Sequence, residues 1–421
     1  MHAPSLNASG ATPTGRAPIY RLSIMMLLEF IVFGSWFATL GLVLATNELP
    51  MIIGTAYSLA AVAAIISPLF LGALGDRFFQ SQRLLGFLHV AGGLVLLCVP
   101  SAVGAGNAGL VLLLILGYMI LFMPTLGLTN AIALAHLAGN DRIFPYIRVF
   151  GTVGWVVAGL FVGGFGLSAS TGVFVVAAVA SFAFGVFSLV LPRTPPPAKG
   201  AKLALGDIIG ARAFVLFRKR NFTVLIICAL LTSISLGVYN TFASPYLAAL
   251  GIENVAGVLA IGQVSEVVFI VTIPFALARL GIKWSILLGM GMWGVRFVLF
   301  MLAADGQAPL AILGVALHGI CNDFFLILSA MYIDRQSPPE LKNQAQSLLI
   351  LVVSGLGSGI GALVAGGIFG RTVAANPAAV PADWWPVWSF PIGCAILTAI
   401  IWTLFFRPER EPAAAPETAQ A

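Results

Sequence analysis

Charge is what this sequence has least of. Its 421 residues hold 15 acidic and 21 basic side chains, 9% in all, where ordinary soluble domains carry about a quarter. A water-soluble fold needs a charged coat, and these residues cannot supply one. In its place, 60% of the chain is hydrophobic, with a mean hydropathy of +1.03. Cysteine is scarce too. Cys98, Cys228, Cys321 and Cys394 fall inside apolar blocks without metal-ligand spacing, so they read as small core residues and not as redox or metal groups. A signal peptide is not expected either. The first apolar block, 22–44, is too long for a signal-peptide core and ends in no small-residue cleavage pattern, so it reads as a spanning helix. The sequon Asn7-Ala8-Ser9 is a pattern common by chance, and the orientation derived next places it inside the cell.

What is present comes in apolar blocks of about 20 residues, each enough for ~30 Å of hydrocarbon. Spans are expected near 22–45, 52–75, 84–103, 108–137, 147–166, 171–191, 222–248, 256–280, 284–303, 308–333, 343–370 and 386–406. The fold class is therefore an all-α polytopic membrane protein. Lysine and arginine set its orientation. With twelve spans both termini share one side, which carries Arg16, Arg21, Arg77, Arg83, Arg142, Arg279, Lys283, Arg335, Lys342, Arg407 and Arg410. The connection after span six adds Arg193, Lys199, Lys202, Arg212, Arg218, Lys219 and Arg220, whereas the opposite loops offer Arg371. Both termini are thus expected in the cytoplasm. The net charge of +6 belongs to that face and calls for no nucleic acid.

The longest polar connection opens with "PRTPPPAKG" and divides the chain. We read a tail (1–21), a six-helix half (22–191), a Pro-rich linker (192–221) that starts semi-rigid, a second six-helix half (222–406) and a tail (407–421). The halves echo each other in the Gly and Val spacing of spans five and eleven, and in "GALGDRF" against "LARLGIK". Six plus six spans with a cytoplasmic linker describe the major facilitator architecture, in which solute binds near the midplane between halves. "GALGDRFFQSQRLL" is a loose version of that superfamily's loop after span two.

Some motifs read as structural. "GLGSGIGALVAGG" (355–367) lies within an apolar span, so its glycines point to close helix packing and not to a phosphate loop. Pro68, Pro124, Pro245 and Pro274 sit inside spans as expected kinks. Trp384, Trp385 and Trp388 begin the last span and read as an interfacial belt.

Charges inside spans are the informative set, since each costs several kcal/mol unless paired or wet. They are Glu29, Arg148, Glu266, Arg296 and Asp323, with His318 as a titratable neighbour. Three carboxylates face two guanidiniums, which leaves one carboxylate to hold a proton, as proton-coupled transport requires. Arg148, Thr152 and Trp155 share one helical stripe at i, i+4 and i+7; Gln263 and Glu266 are i, i+3; His318 and Asn322 are i, i+4. Asn240 lies on span seven with Ser233 and Gly237. One charge with amides and aromatics from both halves suits a neutral, flat, hydrogen-bonding solute. Arg148 can offer Glu266 a countercharge, whether across a solute or as a structural bridge. Arg296 has the reach to brace Glu29 or Asp323, or to extend to the interface. Glu29, some seven residues into its span, is open to snorkelling as much as to function.

The segments "GSWFATLG" (34–41), "MPTLGLTN" (123–130), "FPYIRVFGTVGW" (144–155), "QVSEVVFIVTIPF" (263–275) and "NDFF" (322–325) resemble, in order along nearly the whole chain, the bacterial nucleoside:proton symporter family of the major facilitators. The resemblance implies import of a nucleoside with protons across a bacterial inner membrane, by alternating access, with the proton gradient as energy source and no cofactor. It implies that Arg148, Thr152 and Trp155 meet the nucleoside from the first half. Asn240, Gln263 and Glu266 would hold it from the second, with His318 and Asn322 in the pocket wall. Asp323, with Glu266, would take part in proton coupling. A monomer is enough for such a machine. The chain departs from the family pattern where Gly237 replaces a polar amide, where His318 and Asn322 replace pocket aromatics, and at Glu29, which replaces an uncharged residue. Another polar solute, sugar-like uptake or an exporter therefore stays open as an alternative. An enzyme is not expected, because no nucleophile–base or metal constellation is legible.

Overall fold

The computed structural model describes residues 16–67, 79–137, 143–195 and 211–407. Among these residues all regular structure is helical. In chain order the longer helices are α1 (Arg16–Gly34), α2 (Leu40–Thr46), α3 (Ile53–Ser67), α4 (Ser81–Gly104), α5 (Ala108–Ala135), α6 (Phe144–Gly164) and α7 (Gly172–Phe187) in the first half. The second half holds α8 (Arg220–Ala249), α9 (Val255–Ile270), α10 (Ile273–Ala303), α11 (Ala308–Ala316), α12 (His318–Asn322), α13 (Leu328–Gln336), α14 (Lys342–Ile350), α15 (Ser358–Phe369) and α16 (Trp385–Phe405). Arg77, Arg142, Arg410, Pro68, the sequon at Asn7 and most of the linker lie outside the described residues.

Nine of these helical stretches are long and apolar enough to cross a membrane, or ten if the bent pair 308–316 and 318–336 is one span. Local breaks explain the difference from twelve continuous spans. Span one stops at Gly34 and resumes at Leu40, and a tyrosine from the next span caps the gap. The Tyr57 hydroxyl donates to Phe37 O at 2.7 Å and accepts from Gly41 N at 3.2 Å, so the freed backbone groups stay satisfied. Span eight begins as α9, 16 residues long. It is broken where Thr272 turns the chain into Pro274, a proline in the first turn of α10, and runs on into the start of that helix. Helix α10 then carries Gly281 at φ 69° and ψ 172°, a conformation open to glycine, which separates spans eight and nine. Span ten bends by 43° around Leu317 and continues through a π-helical turn, Asp323–Ile327.

Lysine side chains tie one end of the second half. Lys283 Nζ donates to the Thr403 and Phe406 carbonyls at 3.2 and 2.7 Å, and Lys219 Nζ donates to Gln336 O at 2.8 Å. Each cation thus caps helix carbonyls that have no intrahelical donor. In α5, Pro124 cannot donate to Ile120 O, and the Ser67 hydroxyl takes that acceptor at 3.2 Å.

The halves meet at the end opposite the termini, through residues without side chains. A Cβ on Gly54 would run into Ala362 O and Gly366 Cα, and one on Gly163 into Asn254. Ala256 N donates to Ser168 Oγ at 3.2 Å across the same junction. Within the glycine run of span eleven, Gly357 and Gly361 lie against Ser233 and the Ile234 carbonyl, so this stretch packs helices. At the other end Tyr146, Val271 and Ile350 are exposed. Overpacking such a contact costs about 1–3 kcal/mol, and ~1.4 kcal/mol is tenfold in an equilibrium. Gly54→Leu is therefore expected to slow solute uptake by about tenfold per folded protein in liposomes. Uptake at the unmodified rate would show that this closure is dispensable.

Two expectations about packing are corrected. Trp384 and Trp388 are core residues, at 3% and 0% exposure, stacked with each other and set against Tyr246. Trp385 is the exposed member of the three. Cys98 is exposed and Cys394 half-buried, whereas Cys228 and Cys321 are buried.

Candidate functional site

A cavity of about 430 Å³ lies between the halves, within the usual range for small-molecule sites. Phe33, Tyr57 and Asn130 line it from the first half; Gly237, Asn240 and Ser358 line it from the second. Asn240 is thus in the wall, as expected, with Gly237 one turn before it. A Cβ at Gly237 would strike the Ser358 carbonyl, so the missing amide there is a packing requirement between α8 and α15.

The Glu266 cluster is built by close approach of α9 and α12. Gly319 has no side chain, so the α12 backbone settles on Ser265, and Gly319 N donates to Ser265 Oγ at 2.8 Å. That contact sets the next residue, Glu266, beside His318 and Asn322. Glu266 Oε1 accepts from Asn322 Nδ2 at 2.8 Å and lies 3.3 Å from His318 Nε2. Arg296 Nη1 stands 3.2 Å from His318 Nδ1. A guanidinium can only donate, so Nδ1 accepts and the imidazole proton sits on Nε2, aimed at Glu266. Arg296 also donates through Nε to Gly314 O at 2.8 Å and lies over Tyr239 and Trp293, 4.2 and 4.6 Å from their centroids. Tyr239 stacks on His318 with centroids 5.2 Å apart. The result is an ion pair conducted through an imidazole. One carboxylate oxygen, Oε1, is held by the protein, while Oε2 makes no hydrogen bond among the described residues. The Glu266 side chain is 20% exposed, and it is not among the residues that line the cavity.

The α6 stripe faces from the other half. Trp155 lies over Gly34 and meets the cavity residue Phe33 edge-on at 5.2 Å. Arg148 packs its guanidinium on Phe30, 4.4 Å from the centroid. Thr152 and Gln263 are half-buried and make no side-chain hydrogen bond among the described residues. Asp323 follows Asn322 but points elsewhere. It is 6% exposed, and its Oδ2 finds no hydrogen-bond partner among the described residues.

The charge pairings differ from the expected ones. No ion pair joins Arg148 to Glu266 among the described residues; each cation is held by aromatic rings. Arg296 braces neither Glu29 nor Asp323 and does not reach the interface: at 0% exposure it serves His318. Glu29 does not snorkel. It is 0% exposed, 3.2 Å from His89 Nε2 and 2.6 Å from Thr125 Oγ1. Sequence reasoning missed His89, Tyr239 and Ser265. A lone histidine within an apolar span was the available signal for the first. The other two are ordinary span residues until the fold brings them beside Arg296 and Gly319.

Comparison with known proteins agrees with this architecture. A family model described as "Nucleoside H+ symporter" matches residues 18–411. YegT of Escherichia coli (strain K12) is 34% identical over 400 residues, 92% of this chain and 93% of the relative. The xanthosine permease of the same strain is 29% identical over 412 residues, 93% of this chain and 96% of the relative. The crystal structure of the nucleoside transporter NupG superposes with a TM-score of 0.80 at 27% identity, covering 93% of this chain and 99% of that one. The chain therefore has the major facilitator fold and belongs to the nucleoside:proton symporter family.

Proposed function

We propose that this chain imports a nucleoside together with protons across a bacterial inner membrane, by alternating access, and that the nucleoside binds between the α6 stripe and the Glu266 wall. Arg148, Thr152 and Trp155 meet it from the first half, the indole as a stacking face for the base. Asn240, Gln263 and Glu266 hold base and ribose from the second half, with His318 and Asn322 fixing Glu266 from behind. The observation that carries this reading is Glu266 itself: Oε1 is saturated by Asn322 and His318 while Oε2 is left for a donor. Nucleosides carry hydroxyl and amino donors that suit it. Relatives named as nucleoside and xanthosine permeases support the substrate class.

Protons enter the reading at Asp323 and Glu266. The proton gradient supplies the energy, and no cofactor is needed for such a cycle. The excess of Lys and Arg on one side supports cytoplasmic termini, and one chain contains both halves of the site, so a monomer suffices. The testing experiment is a competition panel in liposomes under an imposed pH gradient. Nucleosides are expected to compete with labelled uridine, and free sugars are not. Inhibition by sugars but by no nucleoside would reject the substrate class.

A further inference from the structure

The first half holds a second acid cluster, built on helices other than those that carry Glu266. Glu29 on α1 and His89 on α4 are 0% and 2% exposed and touch at 3.2 Å. Ser181 on α7 has one hydrogen, which it donates to His89 O at 2.9 Å. Its oxygen must therefore accept from His89 Nδ1, 3.1 Å away, so Nδ1 carries a proton. A neutral imidazole protonated there has a bare Nε2. That nitrogen would face the Glu29 Oε2 lone pairs, and such a contact holds only if one more proton lies between them. The proton sits either on the imidazole, giving an ion pair, or on the carboxyl, giving a neutral pair. In both cases Glu29 and His89 together hold one proton that a separated carboxylate and neutral imidazole would lack. Thr125 Oγ1, 2.6 Å from both Glu29 Oε1 and Phe122 O, has one hydrogen for two acceptors and does not replace it.

The surroundings connect this pair to the transport path. Glu29 lies one helical turn before Phe33 on α1, and Met123 and Leu126 flank Thr125; all three neighbours line the central cavity. Thr125 follows Pro124, where the α5 ladder is broken and Ser67 takes the free carbonyl. Rocking at that break would change the Thr125–Glu29 contact. The other groups facing Glu29 are few. From α5 comes Tyr118 and from α6 Arg148, each within electrostatic range of Glu29; α7 contributes Ser181. Arg148 rests on Phe30, the residue after Glu29.

We propose that Glu29 and His89 form a second proton-binding site, through which the first half carries a proton during nucleoside import. No bond other than O–H or N–H is made or broken: the proton enters from the acidic side, is held at the Oε2–Nε2 contact, and leaves as α1 and α5 shift. The proposal rests on symport but not on Asp323 as a coupling group. Its test uses the full-length protein in liposomes with the membrane potential clamped. Under an inward acid gradient of about one pH unit, each coupled proton raises the limiting accumulation ratio about tenfold. Glu29→Gln is expected to lower uridine accumulation about tenfold, to reduce proton entry per uridine, and to preserve uridine exchange at zero gradient. His89→Gln, which keeps the carboxyl, is the second variant and is expected to behave alike. Unmodified accumulation with unmodified proton entry in both variants would overturn the proposal. So would loss of exchange together with accumulation, since that marks a purely structural pair. A failure of Asp323→Asn to alter coupling would leave this result untouched.

Discussion

Glu266→Gln is expected to weaken nucleoside binding by between about tenfold and a hundredfold while leaving the protein folded, because it removes the acceptor that we propose faces the solute. A hydrogen bond to a charged group is worth about 1.5–3 kcal/mol, and ~1.4 kcal/mol is tenfold. The substitution is gentle on the protein side. The introduced amide keeps a carbonyl oxygen for the Asn322 amide and the His318 Nε2–H, which now bond Oε1 at 2.8 and 3.3 Å. Its second atom becomes an NH2, a donor where Oε2 accepted. Arg296 loses a distant negative charge but keeps Gly314 O and the faces of Tyr239 and Trp293. Titration calorimetry or scintillation proximity in detergent measures the binding loss, and thermal unfolding checks the fold. Binding at unmodified affinity would remove Glu266 from the site, and Arg148 and Asn240 would then need a different partner.

The contrast between what was legible in the sequence and what was not follows from how membrane sequences carry information. Apolar block length is a local property, so the all-helical, membrane-spanning fold class could be read directly. Glu266, Asn322 and His318 were also legible, since a polar group in hydrocarbon costs too much to be incidental. Their mutual arrangement was not. Charge counting set three carboxylates against two guanidiniums and sought direct pairs. The fold instead places a histidine at two of the carboxylates, His318 at Glu266 and His89 at Glu29, and seats both arginines on rings. A neutral histidine costs less to bury than an ion, so it leaves a weaker mark in a sequence than its role warrants. The breaks were hidden for a different reason. Gly34, Thr272 and Leu317 lie where helices are interrupted inside apolar runs, where hydropathy has no contrast. The buried Trp384 and Trp388 show the same limit, since a tryptophan at a span end has one composition whether it faces lipid or core.

Asp323→Asn is expected to reduce acid-driven accumulation while sparing exchange, and the reason lies in where the carboxyl is left. Asp323 opens a π-helical turn, a distortion that recurs at functional sites because it re-aims side chains. The preceding residue, Asn322, donates to Glu266, whereas the Asp323 carboxylate makes no hydrogen bond to that cluster among the described residues. Its Oδ2 is buried without a hydrogen-bond partner among the described residues. An ionised carboxylate in that position carries a desolvation cost of several kcal/mol, whereas its protonated form carries no net charge to desolvate. Movement of span ten that brings water or a donor to Asp323 would release the proton, and closure would require one to be taken up. Asparagine mimics the neutral form in shape and cannot cycle. With an inward acid gradient of about one pH unit and the membrane potential clamped, the accumulation ratio should fall about tenfold, the share of one coupled proton. Exchange of labelled for unlabelled uridine at zero gradient needs no net proton movement and should continue. Combined with Glu29→Gln, the ratio should fall about a hundredfold, the share of two coupled protons, because both groups would then be permanently neutral mimics. Accumulation by Asp323→Asn equal to that of the unmodified protein would show that the proton travels with Glu266 or with Glu29 and His89 instead, and that the unpartnered carboxyl of span ten serves the bend and not the coupling.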